Sequence, residues 1–179
     1  MKTLICYDTK YGSTTEICHY IKSSMEMNDD VDIKNISEVN SFDYDLIIIG
    51  TPVFIGKPMK SVGDFIVANY EKLRDKKIAV FVTCWAMATE FGASSSEFLE
   101  QLKKHLPPCD LICERALPGK LLLDKVSEQD QQIMRRLLRR LDSMIGEFDS
   151  QKIAWRDARD KQIAINFGKE IEEKLMLIV

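Results

Sequence analysis

Three short segments combine residue types that could hold a ligand. The first is Thr9-Lys10-Tyr11-Gly12-Ser13-Thr14, where hydroxyls flank a glycine just as a helical pattern begins. The first N–H groups of a helix have no partner inside it, and the helix dipole makes that end positive. Thr9, Ser13 and Thr14 would add hydroxyl donors and Gly12 would let the backbone approach closely, so the segment suits a phosphate. An ordinary capped helix start would use the same residue types. The second segment is Gly50-Thr51-Pro52-Val53-Phe54-Ile55-Gly56-Lys57-Pro58. Apolar and aromatic side chains bounded by glycines suit a planar ring that needs one apolar face and backbone hydrogen bonds at its edge. The competing reading has Phe54 and Ile55 capping the core. A P-loop reading fails, because five residues separate Gly50 from Gly56 and Pro58 stands where Ser or Thr should bind magnesium. The third segment is Thr83-Cys84-Trp85-Ala86-Met87-Ala88. Trp85 is placed to cover the other face of the same ring, unless it is a core Trp. Cys84 has no partner base nearby in sequence, which argues against thiol redox chemistry.

These segments need elements to bring them together. Thr3 to Tyr7 reads as a strand and Thr14 to Met27 as a helix. Val31 to Ile36 alternates with period two, as a half-exposed strand does. Leu46-Ile47-Ile48-Ile49 is a continuous apolar run, the mark of a parallel strand covered on both faces. Pro58 is expected in the first turn of a helix whose buried stripe is Met59, Val62, Ile66 and Leu73. Ile78 to Val82 is a further buried strand, and Ser94 to His105 a helix stopped by Pro107-Pro108. Leu111 to Leu117 is a fifth strand, ended by Pro118-Gly119. Ser127 with Asp130 three residues on marks another helix start. Ile133, Met134, Leu137, Leu138, Leu141, Met144 and Ile145 form its stripe. A last helix spans about Trp155 to Leu175. Only Ser37 to Tyr44 links the second strand to the third, a helix-poor crossover or a hidden helical turn.

Such alternation calls for a doubly wound α/β fold: five parallel strands in the order 2-1-3-4-5, with helices on both faces. Ligands in such sheets bind beyond the carboxyl ends of the strands, where all three segments fall. The expected organisation is a single domain over residues 1–179, with an extra helical segment at about 118–150. The chain has 25 basic and 28 acidic residues, a net charge of -3, and no basic excess that would point to nucleic acid. No leader or spanning run is recognisable, so a cytoplasmic location is expected. The five cysteines (Cys6, Cys18, Cys84, Cys109, Cys113) form no Cys-x-x-Cys pair, and only His19 and His105 could join them at a metal, so no metal site is expected. A phospho-receiver would need clustered acids after strand 1, and a dinucleotide fold Gly-x-Gly-x-x-Gly; neither is present.

Thr9 to Thr14 resembles the flavodoxin phosphate loop, hydroxyl-x-Thr/Tyr-Gly-x-Thr, at the matching strand-to-helix junction. The resemblance implies a three-layer flavodoxin-like fold and flavin mononucleotide (FMN). Its phosphate would lie at Thr9, Lys10, Tyr11, Gly12, Ser13 and Thr14. Its ring would lie between Thr51, Pro52, Val53, Phe54, Ile55 and Gly56 on one side and Thr83, Cys84, Trp85 and Ala86 on the other. The Tyr-Gly-Asp usual after strand 4 is absent, and Trp85 stands in. Within the superfamily the chain looks most like the flavodoxin-domain family that includes menaquinone-dependent protoporphyrinogen dehydrogenase. That likeness runs through Met1 to Ile5, Gly63 to Ile66, Ala116 to Leu121 and Trp155 to Ile171. It implies an FMN-dependent dehydrogenase that takes electrons from a small-molecule donor or redox partner and passes them to a quinone-like acceptor; no catalytic residue is transferable.

A soluble FMN electron carrier is the alternative, and a flavin-free scaffold a third. The near-neutral charge and the extra helix favour the enzyme. Arg135, Arg136, Arg139 and Arg140 lie along one side of that helix. They form either a solvated face or a contact for an acidic partner or an anionic membrane surface. The apolar C-terminus Leu175 to Val179 suits core packing or a homo-oligomer contact.

Overall fold

The structure is a computed structural model that describes residues 1–25, 30–84, 95–120, 125–145 and 159–177. The described residues form six strands: β1 (Lys2–Tyr7), β2 (Asp30–Asn35), β3 (Leu46–Phe54), β4 (Lys57–Pro58), β5 (Lys77–Cys84) and β6 (Asp110–Pro118). The helices are α1 (Ser13–Lys22), α2 (Lys60–Ala68), α3 (Tyr70–Leu73), α4 (Ser95–Lys103), α5 (Glu128–Ile145) and α6 (Lys161–Met176). The main sheet runs β2-β1-β3-β5-β6, all parallel. That is the expected doubly wound order, with the two-residue β4 added beside β3.

Alternation within the central strands divides the core in two. Ile5, Leu46, Ile48, Ala79 and Phe81 face α1 and α6. Leu4, Cys6, Ile47, Ile49, Ile78, Val80 and Val82 face α2, α3 and α4. Both faces are covered, so the strands read as unbroken apolar runs. Each fully buried Leu, Ile or Phe contributes about 1.5–3 kcal/mol relative to an exposed one. Burial also pushes the Cys6 thiol up to about 12, and the Cys18 thiol up as well. These thiols are core residues without nucleophilic character at neutral pH.

Local sequence sets several boundaries. Helix α1 ends at Lys22, short of the expected Met27, and Ser23 and Ser24 fold back on Tyr20 O and Ile21 O with their hydroxyls. The β2–β3 link carries one 3-10 turn, Ile36–Glu38, held by a reciprocal capping box between Asn35 and Glu38. Pro58 does not open a helix. It pairs with Val53 in β4, where a two-residue edge ladder tolerates a proline, and α2 begins two residues later at Lys60. The expected single helix from Met59 to Leu73 is two, broken at Asn69. Helix α6 starts at Lys161, where the Asp160 carboxylate accepts from Gln162 N and Ile163 N. Trp155 lies outside the described residues. Leu175 is buried, whereas Met176 and Leu177 are exposed.

Helices α1 and α6 meet at Gly168. A Cβ there would lie 2.8 Å from Ile21 O and 2.1 Å from Ser24 Oγ. The backbone contact cannot yield by a rotamer change. Gly168→Val should therefore destabilise the fold by about 1–3 kcal/mol through overpacking. A lower urea midpoint with an unchanged slope is the expected reading; an unchanged midpoint would show that α6 is not seated this closely.

Candidate functional site

The carboxyl ends of β1, β3, β5 and β6 surround a cavity of about 290 Å³. Its wall contains Thr9, Lys10, Tyr11, Ser13 and Thr14 from the β1–α1 loop, and Pro52, Val53, Phe54 and Ile55 from the end of β3. Thr83 of β5 also lines it. The three segments singled out in the sequence therefore converge. Gly12 and Thr51 act from behind, and Gly56 forms the turn beside Ile55. Cys84 is buried in β5, and its carbonyl accepts from Gly119 N at 3.0 Å. Trp85 and Ala86 lie outside the described residues.

The β1–α1 loop is shaped by Gly12, which has φ 82° and precedes α1 without any side-chain cap on that helix. Thr9 Oγ1 accepts from Gly12 N at 2.9 Å and closes the turn. Thr14 Oγ1 and Thr83 Oγ1 lie 3.1 Å apart and tie the start of α1 to β5. The Asp8 carboxylate accepts from Thr9 N and from the Ser61 hydroxyl, anchoring the loop to α2. Ser13 Oγ is buried with no hydrogen-bond partner. Burying an unsatisfied hydroxyl costs about 1–3 kcal/mol, so its place beside uncapped helical N–H groups fits an anionic oxygen. A Cβ on Gly12 would meet nothing within 4 Å, which leaves the cradle open on that side. The loop thus meets the donor requirements of a phosphate group.

The apolar wall is a hairpin. Expected as a loop, Gly50 to Phe54 instead continues β3, and a turn at Ile55–Gly56 returns the chain to β4. Ile55 has φ 52° and Gly56 φ 74°. Two successive left-handed residues form the tight turn that matches strand twist. Glycine adopts this conformation readily, but a β-branched residue does so under strain. Gly50, the other bounding glycine, serves packing: a Cβ would lie 2.2 Å from the Phe81 ring. Thr51 Oγ1 accepts from Met59 N at 3.0 Å and holds the hairpin against the start of α2.

From the sequence, the extra segment after Pro118 is expected to be able to wall the space, without any one of its residues standing out as a site residue. Gly119, Lys120, Lys125, Val126 and Met134 line the cavity, as does Glu16, which also pairs with Arg159. The added segment is fastened to the β1–α1 loop by Asp130. Its carboxylate lies 2.6 Å from Lys10 Nζ and accepts the Tyr11 hydroxyl. Ser127 N donates back to Tyr11 Oη at 3.3 Å, and Asp130 N donates to Ser127 Oγ at 3.2 Å. The hydrogen bonds from Lys10 and Tyr11 hold the Asp130 carboxyl below the usual carboxylate range. Lys10 Nζ also sits 3.7 Å from the centre of the Phe54 ring. In sequence, a serine three residues before an acid reads as a helix start. The hydroxyl does cap the helix, but the acid reaches across to the loop. Arg135, Arg136 and Arg139 are exposed, and none of them lines the cavity.

A flavodoxin domain model matches residues 4–144, well over half of the chain. The chain belongs to the flavodoxin domain family. Solved structures agree on the fold. Oxidised flavodoxin 2 from Bacillus cereus is 22% identical, covering 97% of this chain and 99% of that one with a TM-score of 0.55. Oxidised flavodoxin 1 from the same organism is 16% identical, covering 97% and 98% with a TM-score of 0.56. A flavoprotein in complex with FMN from Lactobacillus acidophilus is 18% identical over 64% of this chain and 92% of its own, with a TM-score of 0.51. No curated protein matches in sequence.

Two outcomes follow from the site's geometry. Ile55 is 42% exposed, so little burial is lost on replacing it. Ile55→Asn should raise stability by about 1 kcal/mol by relieving the left-handed strain, read as a higher urea midpoint. A drop would mean that Ile55 packing outweighs the strain. Asp130, with its folded value depressed, adds stability above the ordinary aspartate range of about 4. That stability disappears as pH falls through the lower folded value. Asp130→Asn should therefore flatten this part of the acid limb in urea titrations; a limb of unchanged steepness would deny the coupling.

Proposed function

We propose that the chain is an FMN-dependent oxidoreductase of the protoporphyrinogen dehydrogenase type, which passes electrons from a flat apolar donor to a quinone-like acceptor. The single observation that carries this reading is the wall added by the β6–α5 segment. Val126 and Met134 extend the apolar surface that Pro52, Val53, Phe54 and Ile55 begin, and Lys120 and Lys125 stand on the same side. FMN is the cofactor, and its ring supplies hydride and electron transfer when bound. Ser13 Oγ, Thr9 and the start of α1 would hold its phosphate, and Phe54 and Ile55 would border its ring. The apolar wall would exclude water and admit a flat donor. The lysines would pair with carboxylates on that donor. The exposed Arg135, Arg136 and Arg139, with Arg140 on the same helix, would hold the protein at an anionic membrane where a quinone dissolves. Among the described residues no helix is long and apolar enough to cross a membrane, so such contact would be peripheral.

The second reading, a soluble FMN electron carrier, is favoured by near end-to-end correspondence with the two Bacillus cereus flavodoxins. A carrier has no need of a substrate wall.

Gly12→Val should weaken FMN binding by more than about tenfold, because a β-branched residue at φ 82° strains the loop and fills the open side of the cradle. Equal affinity in a fluorescence titration would remove the phosphate from this loop. For the activity, the FMN-loaded protein should reduce a menaquinone analogue in the presence of protoporphyrinogen. Neutralising Arg135, Arg136, Arg139 and Arg140 should lower liposome association, most clearly at low salt. No turnover with any quinone, together with rapid one-electron exchange with a ferredoxin-type protein, would decide for the carrier.

A further inference from the structure

Among the described residues that line the cavity, one side chain is acidic: Glu16, in the first turn of α1. It follows Ser13, whose buried hydroxyl has no hydrogen-bond partner, at a spacing of three. Residues three apart on a helix are surface neighbours, with Cβ atoms about 5–6 Å apart. Glu16 therefore brings a negative charge to the part of the cradle that suits an anionic oxygen. That charge is met from another element. Arg159 Nη1 pairs with Glu16 Oε2, and the Arg159 side chain is only 10% exposed against 50% for Glu16. Arg159 immediately precedes Asp160, which caps α6 through Gln162 N and Ile163 N. Helix α6 runs alongside α1 in the same direction: Arg159 meets Glu16 near their starts, and Gly168 lies against Ile21 and Ser24 further on. The seating of α6 on α1 thus sets a guanidinium beside the cavity wall.

We propose that Arg159 is a positioning residue for the phosphate of a bound flavin mononucleotide, acting through Glu16. The inference rests on the reading that the cavity holds FMN with its phosphate at the Thr9 to Thr14 loop. A phosphate monoester carries about two negative charges near neutral pH. An uncompensated carboxylate one helical turn away opposes it. A guanidinium stays charged at every working pH, and its planar fork suits a carboxylate. Paired with it, Glu16 adds little net charge to the wall. The pair is anchored from the protein side, because the guanidinium is mostly buried and the carboxylate half-exposed. Removing Arg159 leaves a mobile negative charge beside the cradle. Removing the Glu16 charge leaves a fixed positive one. The two changes therefore act on a phosphate with opposite signs. An Arg159 that served the fold alone would affect flavins with and without a phosphate alike.

The test compares FMN with riboflavin, the same ring and ribityl chain without the phosphate, in fluorescence titrations of the apoprotein. The ratio of the two affinities reads the contribution of the phosphate. Arg159→Met should lower that ratio at least about fivefold, and more at low salt. Glu16→Gln, at a half-exposed position, should raise it about twofold or more. The double variant Glu16→Gln/Arg159→Met should return it to within about twofold of the parent, because the loss needs the carboxylate. If Arg159→Met does not fold, Glu16→Gln decides: a ratio unchanged or lowered in that variant overturns the inference. A ratio unchanged in Arg159→Met, or a loss that Glu16→Gln does not reverse, overturns it while leaving FMN binding intact. A parent that binds FMN no more tightly than riboflavin, or binds neither, overturns the reading beneath it as well.

Discussion

Parallel strands that are apolar on both faces can present polar chemistry only at their ends. In this chain β1, β3 and β5 are sealed by α1 and α6 on one side and by α2, α3 and α4 on the other. Backbone N–H groups that no ladder or helix satisfies therefore collect at the carboxyl edge, beyond β1 and at the start of α1. Gly12 is the point on which this edge turns, because its left-handed backbone brings Thr9, Ser13 and the first turn of α1 into one cradle. A side chain there would strain the turn and occupy the open face. Thr14 and Thr83 then fix the cradle to β5, so the β1–α1 loop and the end of β5 share one frame.

Onto this frame the chain adds a polar clamp whose energetics differ from those of the core. Exposed ion pairs contribute little, typically 0–1 kcal/mol. The Lys10–Asp130 pair is less exposed, with the Asp130 side chain at 10%, and it is backed by Tyr11 and Ser127. Its main effect is geometric. It places Val126 and Met134 against the pocket and gives Lys10 a fixed position above Phe54. A flexible lysine held between a carboxylate and an aromatic face loses rotamer freedom before any ligand arrives, which leaves less ordering to be done on binding.

How much of this was legible in the sequence depends on the range of each interaction. Strand runs such as Leu46 to Ile49 and the hydroxyl-rich loop at Thr9 to Thr14 are local signals, and the fold and the cradle follow from them. The hairpin at Ile55–Gly56 carries no local turn signal, because isoleucine rarely adopts positive φ. Pro58 carried a true local preference for a helix start, but pairing with Val53 overrode it. Asp130 and Tyr11 are 119 residues apart, and nothing in either neighbourhood announces the contact. Glu16, Lys120 and Lys125 carry no local signal as site residues for the same reason, since a cavity wall drawn from separate elements has no periodicity of its own.

The charge pattern argues for a division of labour along α5. Met134 turns inward to the cavity while Arg135, Arg136 and Arg139 stay in solvent, so helix geometry alone separates a pocket-facing side from a basic outer side. Among the described residues, the cations that line the cavity are Lys10, Lys120 and Lys125, which belong to the loops at the strand ends. In a chain of net charge -3 this local positive patch would offset the negative charge of a phosphate, while Lys10 also pairs with Asp130 behind the cavity lining. The arginines face solvent, where their field is screened over about 8 Å at physiological salt. The pocket-facing Met134 and the solvent-facing arginines can thus be altered separately, because they lie on different sides of one helix.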